Sequence, residues 1–213
     1  ELYESGRKRL DAMLAYGVTT VEGKSGYGLD RETECKQLRV MRRLDRDHPM
    51  DIAVTFMGAH AVPPEWIGNT DGYVDYIIGE VLPAVAREGL AEFCDVFCEA
   101  GVFDVPQSRR LLLAARDLGF RLKLHADEIV RIGGTELAAE VGALSADHLL
   151  QSSPEGIRAL ARTGVIATLL PATAFSLRES YADARAMIDN GCAVALASDL
   201  NPGSCYTHSI PLL

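Results

Sequence analysis

The chain is short of basic charge, of long apolar runs and of paired cysteines, and each shortage closes off a class of function. Its 21 lysines and arginines stand against 30 aspartates and glutamates, for a net charge of −9. Nucleic-acid binding needs a basic face to neutralise phosphates, so no nucleic acid is expected as a partner. No apolar stretch approaches the roughly 20 residues of a membrane span, and no signal-like segment opens the sequence, so no membrane is expected either. The five cysteines (35, 94, 98, 192 and 205) are odd in number and lack zinc-ribbon spacing. Reduced thiols in a cytoplasmic protein follow, with Cys94 and Cys98 as buried filler in an apolar strand. A glycine-rich phosphate turn is missing too, since Gly23, Gly26 and Gly28 do not form Gly-x-Gly-x-x-Gly.

What is present is a regular alternation. The chain is 48% hydrophobic and 24% charged, which suits one globular domain over residues 1–213. Seven strand-like runs are read at Val18 to Glu22, Asp51 to Phe56, Ala91 to Cys98, Phe120 to Leu124, Ala143 to Ala146, Val165 to Leu170 and Ala193 to Ser198. Helical patterns precede the first and fall between the rest, at Glu1 to Tyr16, Asp30 to Asp47, Asp71 to Arg87, Pro106 to Leu118, Gly134 to Val141, Pro154 to Thr163 and Glu179 to Asn190. Runs this apolar are expected to be buried on both faces, as parallel strands covered by helices are. The fold expected is α/β, a (β/α)₈ TIM-type barrel lacking its first strand, with a doubly wound open sheet as the runner-up. The chain opens on Glu1 inside a helical pattern and ends on Ile210-Pro-Leu-Leu213, and an internal fragment of a longer chain is expected.

Polar residues gather where these runs stop. Lys24 and Tyr27, His60, Glu99, His125 with Glu128, His148, and Asp199 with Asn201 each follow a strand, whereas His48 reads as surface loop. In a parallel barrel the carboxyl ends of the strands share one mouth, so distant residues can form one site. A divalent ion takes imidazole and carboxylate ligands while leaving a position for water. His125 and Asp199 are the candidate ligands, with Glu128 and His148 as candidate proton carriers.

Thr19-Thr-Val-Glu-Gly-Lys-Ser-Gly-Tyr-Gly-Leu29, Gly58-Ala-His-Ala61, Asp95-Val-Phe-Cys-Glu99, His125-Ala-Asp-Glu128, Ser145-Ala-Asp-His-Leu149 and Ser198-Asp-Leu-Asn-Pro-Gly-Ser204 carry a more specific signal. In order and spacing, they resemble the imidazolonepropionases, metal-dependent amidohydrolases of histidine degradation. The resemblance implies a barrel that holds one zinc or iron ion and opens the ring of 4-imidazolone-5-propanoate to N-formimidoyl-L-glutamate. It implies His125 and Asp199 as metal ligands, and Glu128, His148 and Asp199 as catalytic residues. Tyr27, His60, Glu128, Asn201, Gly203 and Ser204 would match substrate-binding positions. A small-molecule substrate and a homodimer are the partners expected. The family's His-x-His on the first strand, the arginine after it and the terminal β-sandwich have no counterpart here. Gly23 replaces a bulky apolar residue, which is expected to loosen its strand. Cys98-Glu99 stands where two-metal relatives carry a bridging lysine, which favours one ion. A purine or triazine aminohydrolase and an inactive truncated fragment are the alternatives.

Overall fold

In the computed structural model, which describes residues 1–213, every strand read from the sequence is present. They are β1 (Thr20–Lys24), β2 (Asp51–Ala59), β3 (Phe93–Cys98), β4 (Arg121–Ala126), β5 (Ser145–His148), β6 (Ile166–Leu169) and β7 (Val194–Leu196). They pair in sequence order, every neighbour parallel. Nine α-helices accompany them: α1 (Leu2–Ala15), α2 (Arg31–Asp47), α3 (Thr70–Tyr76), α4 (Leu82–Arg87), α5 (Val105–Asp117), α6 (Gly134–Val141), α7 (Pro154–Thr163), α8 (Pro171–Leu177) and α9 (Ala184–Asp189). None is long and apolar enough to cross a membrane.

The sheet is strongly curled. In a flat sheet β1 and β5 would lie roughly 19 Å apart, four inter-strand spacings. Instead Lys24 of β1 reaches Asp147 of β5 at 3.1 Å, and Lys123 of β4 reaches Glu22 of β1 at 2.6 Å. Only a half-barrel brings those side chains together. The helices cover the convex face, where Val54, Phe56, Cys94, Val96, Leu122, Leu124 and Ala146 form the core.

The strands are buried on both faces for most of their length, as expected, but the second face is polar rather than apolar. Side chains alternate along a strand, and the concave face carries Glu22, Lys24, Thr55, Asp95, Lys123, His125 and Asp147 in contact with one another. Arg121-Leu-Lys-Leu-His125 shows the period of two directly.

Four further expectations change. The single helix over 71–87 contains a π-turn, Ile77–Val81, that ends two residues before Pro83; proline has no N–H for the regular ladder, and the wider turn absorbs the gap. The last helix shrinks to α9, capped by Asp183, and α8 appears with Pro171 in its first turn, the position proline favours. His48 is not free surface loop, because its ring Nδ1 accepts from the Met50 amide at 3.2 Å and only 5% of its side chain is exposed. Nor does Gly23 leave β1 loose: the space above it is filled by Met41, whose sulfur lies 3.1 Å from where a Cβ would stand.

The β4–α6 loop is held by two buried acids. Asp127 accepts from the amides of Ile132, Gly133 and Gly134 on Oδ1, and from the amide and hydroxyl of Thr135 on Oδ2. Glu99, just past β3, accepts from the amides of Ile129 (2.9 Å) and Val130 (3.1 Å). Asp127→Ala strands several of these donors in the interior. The expected cost is roughly 2–4 kcal/mol, from a lost helix cap and unpaired buried amides. A urea titration measures it, and a loss under about 1 kcal/mol would contradict this role.

Candidate active site

The carboxyl ends of the strands open into a cavity of about 570 Å³. Tyr27, His60, His125, Glu128, His148, Asp199, Asn201, Gly203 and Ser204, all singled out from the sequence, line it. So do Lys24, Asp147 and His208, which had no assigned role. Glu99 does not line it; its carboxylate serves the loop behind Glu128.

His125 ends the polar row of β4 and is 6% exposed. Its Nδ1 lies 3.1 Å from both carboxylate oxygens of Asp95 on the neighbouring strand. No hydrogen bond within the chain engages Nε2, so the ring is oriented by one nitrogen and free at the other. Burial pulls the imidazole's pKa down, but the Asp95 carboxylate more than offsets it and the net shift is upward. His125 stands edge-on to His60, ring centroids 6.3 Å apart, and 5.1 Å from His148. Tyr27 closes the row against His60 at 4.6 Å.

Burial and the neighbouring His125 hold His60 down to about 4 and His148 to about 3, so both rings are neutral at pH 7. His148 Nδ1 lies 3.4 Å from Glu128 Oε1. Burial lifts the Glu128 carboxyl to about 7, helped by Asp199 and Glu99 and opposed by His125. A group that is half-protonated near neutrality can both accept and return a proton.

Asp199 follows β7. Burial raises its pKa, and its Oδ2 accepts from the Thr173 hydroxyl at 2.8 Å. No cationic side chain pairs with it. The next turn is shaped by Asn201, whose Oδ1 accepts from the Gly203 and Ser204 amides and whose Nδ2 donates to the Asp199 carbonyl and the Ser204 hydroxyl. Asn201 therefore acts on its own loop, and Gly203 and Ser204 form the cavity rim. Tyr27 is presented by a loop folded over Glu34, which accepts from the amides of Gly26 and Gly28. A Cβ at Gly26, where φ is +131°, would sit 2.8 Å from the Met57 carbonyl, so that turn needs glycine.

Four non-glycine residues at these strand ends hold left-handed backbone: Asp127, His148, Leu149 and Asp199. Each costs of order 1–3 kcal/mol unless its surroundings impose it, and such residues collect at functional sites. Three buried polar atoms at the cavity also lack any partner: His60 Nδ1, Asp147 Oδ1 and His208 Nε2.

Sequence reading missed Asp95, Asp147 and Thr173 as parts of this site, and gave Lys24 a place at the mouth but no role. Asp95 had a visible signal, an acid at the centre of the apolar run Phe93 to Cys98, which is rarely buried without a purpose. Thr173 had none, because its helix was unforeseen.

No family model matches the chain. The imidazolonepropionase of Clostridium tetani is 66% identical over 213 residues, which is all of this chain and 51% of that protein. That of Parabacteroides distasonis is 65% identical over 212 residues, again 51% of its length. The chain thus spans about half the length of the curated relatives it matches. Among solved structures, an adenine deaminase from Arthrobacter aurescens superimposes with a TM-score of 0.72 at 19% identity, covering 93% of this chain and 62% of its own. An adenosine deaminase from Xanthomonas campestris with bound zinc gives 0.67 at 17% identity, covering 96% of this chain and 47% of its own. The resemblance read from the sequence is borne out along the whole chain, and the solved structures agree on the fold.

The Glu128 shift has a sign that stability measurements can read. An unfolded glutamate titrates near 4.5, and this one is raised to about 7 when folded. The folded state therefore holds the proton more tightly, and the stability this contributes is present below the unfolded value and lost as pH rises through the folded one. In metal-free protein, raising the pH from about 5 to about 8 should lower the urea midpoint more for the parent than for Glu128→Gln. Equal changes would contradict the shift.

Proposed function

We propose that this chain, a homologue of the imidazolonepropionases over its whole length, builds most of the catalytic mouth of a hydrolase that opens the ring of 4-imidazolone-5-propanoate to N-formimidoyl-L-glutamate. The observation that carries the reading is the meeting of His125, Glu128, His148 and Asp199, from three separate strand ends, in one cavity. The 66% identity to a protein of that name supports the choice of substrate.

The residues fit a single divalent ion. His125 offers a nitrogen with no partner in the chain, and Asp199 is a carboxylate without a counter-charge. That donor set suits zinc or iron. These two would hold the ion, and the remaining ligands would come from an eighth strand between the free edges of β1 and β7. The family's His-x-His belongs there. When bound, the ion supplies Lewis acidity to the ring carbonyl and lowers the pKa of water.

The chain's own groups do the rest. Asp95 fixes the His125 ring through Nδ1, a carboxylate–histidine arrangement that raises ligand basicity. Glu128, about half-protonated at neutral pH, gives its carboxyl proton to the leaving nitrogen and regains the one that Asp199 takes from water. His148, neutral and within reach of Glu128 Oε1, relays it. Asp199 accepts the proton of the attacking water. Tyr27 and His60, their rings tilted 54° to one another, flank the substrate, and Gly203 and Ser204 border it on the side that Asn201 shapes. We also propose one domain, a cytoplasmic location and a homodimer.

Assaying the whole protein on 4-imidazolone-5-propanoate and on guanine tests the substrate; turnover of guanine alone would make it an aminohydrolase instead. Glu128→Gln should retain its metal and lose about 10²–10⁴-fold in turnover, the range for a general acid–base group. Activity within about tenfold of the parent would remove Glu128 from that role.

A further inference from the structure

Lys24 ends β1 with its ammonium inside the half-barrel, among acids from three strands. Its Nζ lies 2.6 Å from Asp95 Oδ2, 2.9 Å from Glu22 Oε1 and 3.1 Å from Asp147 Oδ2. An ammonium has three N–H donors, and each has a carboxylate to meet. Burial disfavours that charge, yet Asp147, Asp95 and Glu22 outweigh it and hold the lysine protonated. The same carboxylates are suited to a different occupant. One ligand atom each of Asp95, His125 and Asp147 lies within 4.8 Å of the others, and all three residues are buried. The second oxygen of Asp147 is buried and has no hydrogen-bond partner. Oxygen and imidazole donors at that spacing suit a divalent cation. The spot is already neutralised, and the neutralising charge is tethered to the chain.

We propose that Lys24 is a resident cation: its ammonium takes the place that a second metal ion would occupy between Asp95 and Asp147. The mouth is thereby restricted to the ion held by His125 and Asp199. The inference rests on the single-ion reading above. It adds a positioning role, because an ion on Asp95 would compete for the carboxylate that orients His125. Lys24 engages Asp95 by hydrogen bonding through Oδ2 and leaves both oxygens within 3.1 Å of Nδ1.

The test is a metal count on the whole protein, stripped with a chelator and then dialysed against zinc, with circular dichroism on the same samples. The parent should hold one zinc per chain and Lys24→Ala two. Adding Asp147→Asn to Lys24→Ala should return the count to one. A folded Lys24→Ala holding the same number as the parent overturns the proposal. A parent with none and a variant with one would leave Lys24 as proposed and overturn the single-ion reading instead. Lys24→Gln keeps the stem without the charge and serves if the alanine variant does not fold. If neither folds without zinc, folding in its presence supports the exchange of one cation for another. Remaining unfolded at saturating zinc overturns it.

Discussion

A set of charges on the concave face draws the sheet into its curve. Glu22 is the joint: it accepts from Lys24, from Thr55 and from Lys123, tying the first strand to the second and fourth. Lys24 then extends the tie to β3 and β5. Removing ions from water costs several kcal/mol each, repaid only when every partner is in place. The network is thus weak as a source of stability and strong as a constraint on shape. Stability comes from the other face, where the apolar side chains meet the helices. The division assigns burial to the outside of the sheet and geometry to the inside, and the catalytic mouth lies at the end of the geometric side.

The same constraint explains why the site residues are differently protonated although they share one cavity. His125 is buried but faces a carboxylate and is raised, whereas His60 and His148 are lowered by burial and then by facing His125. Glu128 is raised by burial, with Asp199 and Glu99 adding to it against His125, while Asp95 is held well below the usual carboxylate range: burial opposes this, but His125 and Lys24 prevail. Two carboxylates near the same imidazole, one on the neighbouring strand and one in the following loop, therefore do different work. One orients, and the other exchanges protons.

Much of this was legible in the sequence. The seven strands and most helix bounds followed from apolar runs and their stops: Asp30 caps α2 and Gly142 and Gly164 close α6 and α7. The cavity residues were found because chemistry in a parallel sheet collects at one end. Less legible was anything that depends on curvature. Lys24 and Asp147 are 123 positions apart, and no local pattern says that they touch. The alternation in Arg121 to His125 was visible, yet it reads as a solvated face until the sheet is known to close on itself. The helix over 171–177 was missed because Pro171 can stop a strand or start a helix, and only tertiary packing decides between them.

The loop carrying Glu128 illustrates a separation between shape and sequence. Asp127 and Glu99 hold it almost wholly through backbone amides, and those are the same whatever side chain is attached. Ile129 and Val130, whose amides Glu99 receives, leave 62% and 47% of their surface open to solvent. The outer surface of this loop can therefore be rewritten residue by residue, for solubility or for a new contact, while the carboxylate at its root stays where it is.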